Sequence, residues 1–471
     1  MFATANALAT NGVRSGDRVG ISQPNGPEII EVAFAVAMLG ATLVPISPRL
    51  APDEIRYILR DAGVRTCLVD ATADGDVFGG VRLIRTGGSE YSDFLASATS
   101  TEPPEIENPD DIALQLYTSG TTGRPKGALL SQRALIQNGL TTLLSQQLHH
   151  GDVFLTATPL THAAAATRIF SLAIDGLTHV ILPLYRPDAF LQAIAEHRVT
   201  VTMLVPTMLA DLLDDPALAK ADLSTLHTIV YGAAPISVAL VERGVRALPC
   251  GLLQGYGLTE GCPALTMLSP DEHRRFAFVD GLRQRLGSIG RPVPGVRVRI
   301  VSENGETAQP GHAGELYVRS TKAMLGYWHD ADDQDVFADG WLRTGDVVRE
   351  DNDGYLFLID RAKNMLISGG LNVYPSEIER VLTSAATVRE AAVVGAPDER
   401  WGEVPIAFVV GDRGELSDGE IDELIALCHE ALAGYKQPKH FVRLPALPRN
   451  PTGKVAIPEL RELAARAAHG R

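Results

Sequence analysis

A stretch of eleven residues combines the side chains and the backbone that suit a phosphate group. It reads YTSGTTGRPKG over residues 117–127, with hydroxyl side chains and glycines ahead of Lys126. Backbone N–H groups in conformations that glycine permits can form a nest for anions, and the lysine adds a positive charge. The stretch is not a Walker loop, because the spacing of Gly120, Gly123 and Lys126 departs from GxxxxGK followed by Ser or Thr. A flexible surface loop is the alternative interpretation of the stretch taken alone.

Five further motifs follow along the chain. They are YGAAP at residues 231–235, QGYGLTE at 254–260, WLRTGD at 341–346, DRAKNMLISGG at 360–370 and PRNPTGK at 448–454. With YTSGTTGRPKG they occur in the order seen in the adenylate-forming superfamily, and the chain resembles the acyl-CoA synthetases of that superfamily, which are fatty-acid or aryl-acid:CoA ligases. The resemblance extends from Gly16 to Leu460.

The resemblance implies a two-step reaction that uses ATP, Mg²⁺ and coenzyme A. A carboxylate is a poor acyl donor, so the family first joins it to the α-phosphate of ATP and expels pyrophosphate. The acyl-adenylate then passes its acyl group to the thiol of CoA, and AMP leaves. Because the first step brings an anion towards a triphosphate, cations and aligned donors must offset the repulsion.

The same resemblance assigns residues to the nucleotide. The implied ATP and AMP ligands are Thr118, Ser119, Gly120, Thr121, Thr122, Gly123, Lys126, Gly232, Ala233, Ala234, Tyr256, Gly257, Asp346 and Arg361. In this assignment the opening stretch holds the β and γ phosphates, and the small residues of GAAP admit the adenine while Tyr256 stacks on it. Asp346 accepts hydrogen bonds from the ribose hydroxyls, and Arg361 supports that carboxylate.

A second set is implied in catalysis and metal binding. Its members are Lys454, Glu260, Thr259 and His162, with Thr118 and Glu260 as the metal ligands. Lys454 would bridge carboxylate and phosphate oxygens, and Mg²⁺ prefers oxygen ligands of this kind. Taken singly, Glu260 could be an acid at a helix start, Asp346 a turn residue, Tyr256 a core aromatic and Lys454 a solvated loop lysine.

The CoA site and a hinge are implied near the end of the chain. Gly369 and Gly370 resemble the glycines that let the pantetheine arm pass close to the backbone, and Trp401 resembles an aromatic that contacts it. The segment YKQPK, with Tyr435 and Lys439, resembles the part that binds the CoA nucleotide. Some relatives have arginine in place of its glutamine, so a surface turn is the competing interpretation.

The acid itself is expected near PLTHAAAATRIF, residues 159–170. An amino-acid substrate would need a carboxylate there to pair with its ammonium, and His162 stands in that stretch instead. His162 resembles the gating histidine of several acyl- and aryl-CoA ligases, although a packed core histidine is the alternative. Thr161 departs from the aromatic residue often found before that histidine. The four alanines after it predict an apolar pocket for a fatty or aryl acid.

The elements that position these residues are those of an α/β protein. The first 300 residues alternate short β-rich runs with helical patterns, which indicates layers with a largely parallel sheet. We expect a large N-terminal adenylation domain over residues 1–360, built from α/β subdomains and a β-rich subdomain at about 290–360. A small mobile α+β lid domain over residues 361–471 follows, with its hinge near Lys363.

Composition excludes several other classes. The net charge of -15 argues against a broad nucleic-acid interface, which would need a basic face. No secretory signal or transmembrane helix is predicted, so the expected location is cytoplasmic, with four reduced cysteines. Relatives carry a further strand and helix before SGDRVGI, so we expect an incomplete first subdomain. Transfer to a carrier protein, a non-catalytic nucleotide-binding role, peripheral membrane contact and a homodimer are alternatives that the sequence leaves open.

Overall fold

The structure is a computed structural model of the 471-residue chain. It describes residues 1–104, 108–119, 125–302, 304–329, 336–361, 364–368, 371–398, 401–412, 414–449 and 455–469.

Helices and strands alternate through most of the chain. The α-helices are α1 Phe2–Thr10, α2 Pro27–Met38, α3 Pro52–Ala62, α4 Ser89–Ala96, α5 Gln132–Gln146, α6 Ala163–Ile174, α7 Pro187–Glu196, α8 Pro206–Asp214, α9 Val238–Ala247, α10 Pro270–Phe278, α11 Pro375–Leu382, α12 Asp418–Ala431 and α13 Ile457–His469. The strands are β1 Arg18–Ser22, β2 Thr42–Pro45, β3 Thr66–Asp70, β4 Arg82–Thr86, β5 Ile112–Ser119, β6 Pro125–Ser131, β7 Val153–Thr156, β8 Thr178–Ile181, β9 Val201–Leu204, β10 Thr228–Gly232, β11 Gly251–Gly257, β12 Ala264–Leu268, β13 Arg291–Pro292, β14 Arg297–Val301, β15 Ala313–Arg319, β16 Phe337–Ala338, β17 Trp341–Glu350, β18 Leu356–Arg361, β19 Leu366–Ser368, β20 Leu371–Val373, β21 Val388–Asp398, β22 Gly402–Gly411 and β23 His440–Arg443.

Two sheets form the α/β part, and the first four strands of each follow the same order. The first has the order β4-β3-β1-β2-β5-β6, and the second has the order β13-β12-β11-β10-β9-β7-β8. In each, the second strand in the chain lies on one side of the first strand and the third strand lies on the other. In the second sheet β8, β7, β9, β10 and β11 are parallel, and the neighbouring pair β7 and β9 is the point where the strand order reverses. Ligands bind at the carboxyl ends of strands at such a point.

Helices α5 and α6 cover one face of the second sheet. Apolar residues of β7, β9, β10 and β11 pack there with residues of both helices in one core cluster, which includes Phe154, Met203 and Leu253. Strands of a buried parallel sheet read as continuous apolar runs, which is why their existence could be predicted from the sequence. Ser131 is the N-cap of helix α5, and its hydroxyl accepts the N–H of Ala134 at 3.2 Å.

The remaining strands form two smaller sheets. Strands β14, β15, β17, β16 and β18 form the β-rich sheet that the sequence predicts, and the C-terminal sheet has the order β20-β19-β22-β21 with β23 beside β22. The fold class expected from the sequence is confirmed. Helix α13 was not expected, since the predicted elements ended at the strand that contains His440–Arg443.

The chain divides into two compact units. The first comprises residues 1–299, 317–344 and 354–356, and the second comprises residues 300–316, 345–353 and 357–471. Movement of a C-terminal domain about Lys363 stays a prediction, and Lys363 lies outside the described residues.

Candidate active site

Glu260 is the centre of a cluster of oxygen atoms in the first unit. It lies in the one-turn 3-10 helix Thr259–Gly261 that follows β11, so Thr259 is its immediate neighbour. The carboxylate atom Oε1 accepts hydrogen bonds from the hydroxyl of Thr118 at 3.3 Å and from the phenol of Tyr327 at 2.6 Å. Three distant parts of the sequence therefore meet at one carboxylate.

The strand pair β5 and β6 positions Thr118. The two strands are antiparallel, and Thr118 lies directly opposite Lys126 in their register. The ammonium of Lys126 lies 5.2 Å from the ring centroid of Tyr327. The described flanks of YTSGTTGRPKG are therefore strands rather than loop, and residues 120–124 between them lie outside the described part.

The segment that carries Tyr327 runs beside β6. Backbone bonds join Leu129 N to Gly326 O at 3.0 Å and Trp328 N to Gly127 O at 2.8 Å. Sequence reasoning missed Tyr327, because no local pattern shows that residues 326–328 pair with β6.

A buried lysine anchors the same segment. The ammonium of Lys322 donates to Asn138 Oδ1 at 3.2 Å and to the carbonyl of Ala264. Burial lowers the pKa of Lys322 to about 8. These bonds tie the segment to helix α5 and to strand β12.

Asp61, in the last turn of α3, holds the other side of the cluster. Its carboxylate accepts the phenol of Tyr117 at 2.5 Å, and its carbonyl accepts the indole N–H of Trp328 at 2.9 Å. Burial, together with the hydrogen bond to Asp61, raises the pKa of Tyr117. Asp61 thus binds both Tyr117, the neighbour of Thr118, and Trp328, the neighbour of Tyr327.

The residues predicted to admit adenine lie at the carboxyl ends of β10 and β11. Gly232 pairs with Gly255 in the parallel register, and a Cβ at Gly232 would lie 2.1 Å from the carbonyl oxygen of Gly255. A Cβ at Gly257 would lie 1.3 Å from the carbonyl oxygen of Pro263, so only glycine fits at either position. The two strands therefore end in backbone that a flat base could approach.

The side chains around these glycines are small or aromatic. Ala233 is exposed and has a φ of 65°, while its neighbour Ala234 is exposed as well. Tyr256 lies in β11 and is 9% exposed. This burial is compatible with the adenine interpretation only if the ring presents one edge or face to the base, so its role stays a prediction.

His162 follows the carboxyl end of β7. It occupies the N-cap position of α6, and its carbonyl accepts the N–H groups of Ala165 and Ala166. The amide of Asn25 fixes the loop before it: Nδ2 donates to the carbonyl of Thr158 at 3.0 Å, and Oδ1 accepts the N–H of Leu160 at 2.8 Å. Sequence reasoning missed Asn25, which comes from the end of β1, 135 residues earlier in the chain than Leu160.

In the second unit, Asp346 pairs with Arg361. Asp346 lies within β17 and is 2% exposed, so the turn interpretation of this residue is wrong. Arg361 ends β18, and its Nε lies 2.8 Å from Asp346 Oδ1. Gly345, which precedes Asp346, has a φ of 69° and donates its N–H to Glu315 at 3.3 Å. The two residues form an ion pair, and their contact with the ribose stays a prediction.

The described residues predicted to contact CoA also lie in the second unit. Trp401 is 38% exposed, and its backbone N–H donates to Asp398 at 2.9 Å. Tyr435 packs partly buried against the core of the C-terminal sheet, and Lys439 is exposed. A ring and a cation are therefore accessible, while their contact with CoA stays a prediction.

Several predicted site residues lie outside the described part of the chain. They are Gly120, Thr121, Thr122, Gly123, Lys363, Gly369, Gly370 and Lys454. Ser119 ends strand β5.

The donor set at Glu260 fits a magnesium ion. Within the described ranges no group of three or more His, Cys, Asp or Glu side chains could hold a metal. Mg²⁺ is commonly held by only one or two protein oxygens together with phosphates and water, and the carboxylate of Glu260 beside the hydroxyl of Thr118 offers such a pair.

In the same described ranges, every helix is too short or too polar to cross a bilayer.

Comparison with known proteins identifies relatives over almost the whole length. The model of the AMP-binding enzyme family matches residues 2–328, and that of the AMP-binding enzyme C-terminal domain matches residues 377–454. A feruloyl-CoA synthase from an Amycolatopsis species is 38% identical over 97% of this chain and 91% of its own length. A long-chain-fatty-acid–CoA ligase of Mycobacterium tuberculosis is 35% identical over 97% of this chain and 90% of its own.

This chain is also similar to a solved structure over most of its length. The o-succinylbenzoate coenzyme A synthetase of Bacillus subtilis, in complex with ATP and a magnesium ion, superposes with a TM-score of 0.85 at 32% identity. The superposition covers 98% of this chain and 92% of that one.

Proposed function

The chain belongs to the AMP-binding enzyme family, and from that premise we propose that it activates a hydrophobic fatty or aryl acid for transfer to coenzyme A. It is an AMP-forming acid–thiol ligase, an ATP-dependent acid:CoA ligase that works through an acyl-adenylate. ATP, Mg²⁺ and CoA are the compounds that it uses besides the acid. The identity of the acid and the roles of single residues are the proposal.

The cluster at Glu260 is the observation on which the proposal depends. In the first half-reaction a carboxylate oxygen attacks the α-phosphorus of ATP, the bond to the β-phosphate oxygen breaks, and pyrophosphate leaves. When bound, Mg²⁺ neutralises charge on the phosphate oxygens. Glu260 and Thr118 would hold that ion, while Tyr327 keeps the carboxylate of Glu260 in place through its 2.6 Å hydrogen bond. Lys126 adds positive charge near the phosphates.

Asp346 and Arg361 serve the ribose. A buried carboxylate that is held by a guanidinium can accept hydrogen bonds from two neighbouring hydroxyl groups. Arg361 orients the acceptor, and Asp346 makes the contact. The adenine lies against Gly232, Ala233, Ala234, Tyr256 and Gly257, while Thr259 reaches the α-phosphate.

The acid enters beside His162. The side chains that follow it on α6 are four alanines, which leave room and present no charge. The hydroxyl oxygens of Thr158 and Thr161, in the loop before α6, are buried without a partner among the described residues. The acid carboxylate has polar neighbours at the mouth of this site, and the part of the acid beside the alanines has apolar ones.

In the second half-reaction the thiol sulfur of CoA attacks the carbonyl carbon of the adenylate. The bond from that carbon to the AMP phosphate oxygen breaks, and AMP leaves. We assign Gly369, Gly370 and Trp401 to the pantetheine arm, with Tyr435 and Lys439 at the CoA nucleotide. Lys363 is the proposed hinge, and Lys454 is assigned to the first half-reaction alone.

The test is ATP–pyrophosphate exchange with a panel of fatty acids of graded length and of aryl acids, followed by AMP release with CoA. We expect exchange with hydrophobic acids and little with amino acids, and AMP release that depends on CoA. Exchange without a CoA-dependent step, together with turnover on a phosphopantetheine carrier protein, would replace CoA by the carrier as acceptor. Absence of exchange with every acid would overturn the proposal.

A further inference from the structure

Helix α6 covers the second sheet, and the covered face leaves room for a side chain near the carboxyl end of β11. Gly255 lies on the face that α5 and α6 cover, because it is two residues beyond Leu253, a core residue of the same strand. A Cβ placed on Gly255 would meet no atom within 4 Å in the described part of the chain. Room for a ligand therefore exists at the carboxyl end of β11, on the face that α5 and α6 cover.

Arg168 lies deeper on the same helix, over the pair β7 and β9 where the strand order reverses. It is 6% exposed, and its guanidinium carbon lies 4.6 Å from the ring centroid of Phe154 in β7. One terminal nitrogen lies 3.6 Å from the sulfur of Met203 in β9, and the other donates to Gln146 Oε1 at 2.7 Å. A buried cation of α6 therefore lies against the same face of the sheet.

This arginine lacks the partner that a buried cation requires. No carboxylate of the described residues lies within ion-pair distance of it, and its Nε–H, also buried, has no hydrogen-bond acceptor there. Burial lowers the pKa of Arg168 to about 10, so the group keeps its charge at neutral pH. Because an unpaired buried charge is costly, a group that supplied an acceptor would bind strongly.

The surroundings of Arg168 are polar as well. The hydroxyl of Thr156 and Nε2 of His179 lie 2.6 Å apart on β7 and β8, and burial lowers the pKa of His179 to about 4, which leaves this imidazole neutral. On its far side Gln146 lines an open cleft of about 200 Å³, together with Ser145, whose hydroxyl is buried without a partner in the described chain. A purely apolar tail would leave the buried Nε–H of Arg168 without an acceptor.

Resting on the function proposed above, we propose that Arg168 determines specificity by binding an oxygen acceptor, best a second carboxylate, at the far end of the acid. Six residues separate it from His162 on α6, which corresponds to about 9 Å along the helix axis. An aryl acid of the length of a cinnamate with an oxygen acceptor at the para position spans such a distance. The preferred substrate is then an acid with a polar end, rather than a plain fatty chain.

The experiment compares two acids of equal length in ATP–pyrophosphate exchange, 4-carboxycinnamate and 4-methylcinnamate. For the unaltered enzyme we expect kcat/KM to favour 4-carboxycinnamate by about 100-fold, since a site built for a hydrogen-bonded group rejects the analogue that lacks it. Arg168→Met should reduce this ratio to near one or invert it. Arg168→Lys, which keeps the charge without the fork of donors, should retain part of the preference.

Arg246→Met is the matched control, because Arg246 lies on α9 and pairs with Glu242 at 3.0 Å on the surface. It should leave the ratio of the two acids unchanged. A preference of the unaltered enzyme for 4-methylcinnamate, or an equal loss for both acids in Arg168→Met and Arg168→Lys, would overturn this inference and leave Arg168 as a structural residue. In both cases exchange itself would still support the proposed function, whereas no exchange with any acid would remove both.

Discussion

The phenol of Tyr327 donates a 2.6 Å hydrogen bond to the carboxylate of Glu260, across 67 residues of sequence. The same carboxylate oxygen accepts the hydroxyl of Thr118. One oxygen of Glu260 is thus held by two donors, which leaves the orientation of the carboxylate determined before any ligand binds. Partners of this type tune the groups that hold a metal.

We expect Tyr327→Phe to raise the Mg²⁺ concentration needed for half-maximal exchange and to lower the rate by about 10- to 100-fold. The ring remains in place, so the loss isolates the hydroxyl. The measurement is a Mg²⁺ titration of ATP–pyrophosphate exchange.

Tyr355→Phe is the control for that prediction. Tyr355 donates an equivalent 2.8 Å hydrogen bond to Glu272, away from Glu260. This variant should show an unaltered Mg²⁺ dependence. A Tyr327→Phe enzyme with the same titration curve as the unaltered protein would show that Tyr327 does not position the carboxylate.

Lys454→Ala is expected to separate the two half-reactions. Loss of a cation that acts only on the first transition state should lower ATP–pyrophosphate exchange by roughly 100- to 1,000-fold. Thioester formation from supplied acyl-AMP and CoA should be spared. The exposed Lys220 provides the matched Lys→Ala control, and equal loss of both steps in Lys454→Ala would refute the assigned role.

Asp346→Ala should weaken the binding of ATP, because the hydrogen bonds to the ribose hydroxyls are lost. Hydrogen bonds to a charged acceptor contribute about 1.5 to 3 kcal/mol, so the KM for ATP should rise by roughly 10- to 100-fold. The sharper readout is discrimination between ATP and 2′,3′-dideoxy-ATP, which the unaltered enzyme should show and the variant should lose. If the variant still prefers ATP by the original factor, the hydroxyl groups are recognised elsewhere.

The pH dependence of stability in the second unit should follow Glu379. This carboxyl group accepts the N–H of Val393 at 2.8 Å, and burial, with a smaller contribution from the charge of Asp360, raises its pKa to about 7. The folded state therefore keeps a proton that the unfolded chain releases near pH 4.5. The free energy of unfolding should fall as pH rises from about 4.5 to 7, by on the order of 3 kcal/mol.

Calorimetry of the full chain at pH 5 and pH 8 provides the measurement. Glu379→Gln keeps an oxygen acceptor for Val393 but cannot ionise, so the decrease should disappear from the transition of the second unit. Glu430→Gln, exposed on α12, should retain the decrease. A decrease of the same size in Glu379→Gln would assign the pH effect to another group.

A side chain at position 255 should change which acids the enzyme accepts and leave the binding of ATP unchanged. Gly255→Val adds a side chain where no atom of the described chain lies within 4 Å of a Cβ. We expect kcat/KM for aryl acids to fall by about 10-fold or more relative to butanoate, with the KM for ATP unchanged. Gly419→Val, at a helical position with similar open space, is the control, and a uniform loss for all acids would contradict the assignment.

The sequence allowed some parts of this protein to be predicted and not others, for physical reasons. Apolar runs such as those of β9 and β10, and the turn residues between strands, are local signals, so the α/β layers and the β-rich sheet were confirmed. Glu260 and Asp346 could be named because each lies in a short continuous motif that resembles one of the family. Tyr327, Asn25 and Arg168 could not, since their importance depends on pairing between residues that are far apart in the chain.

The stretch YTSGTTGRPKG illustrates the same limit. Its glycines and hydroxyl groups suggested a loop, whereas its described flanks form a strand ladder. Ladder pairing depends on the strand opposite, which composition cannot show. The chemistry inferred from the residue types does not depend on this difference, because Thr118 still reaches Glu260.

Helix α6 contributes its N-cap His162 and the deeper Arg168, yet no residue assigned to the nucleotide. A change in the acid specificity of this enzyme would therefore require alteration of little more than one helix and the glycine facing it. The residues assigned to ATP would stay unchanged. Two turns of helix would be enough for selection, or for an engineer, to exchange one acid for another.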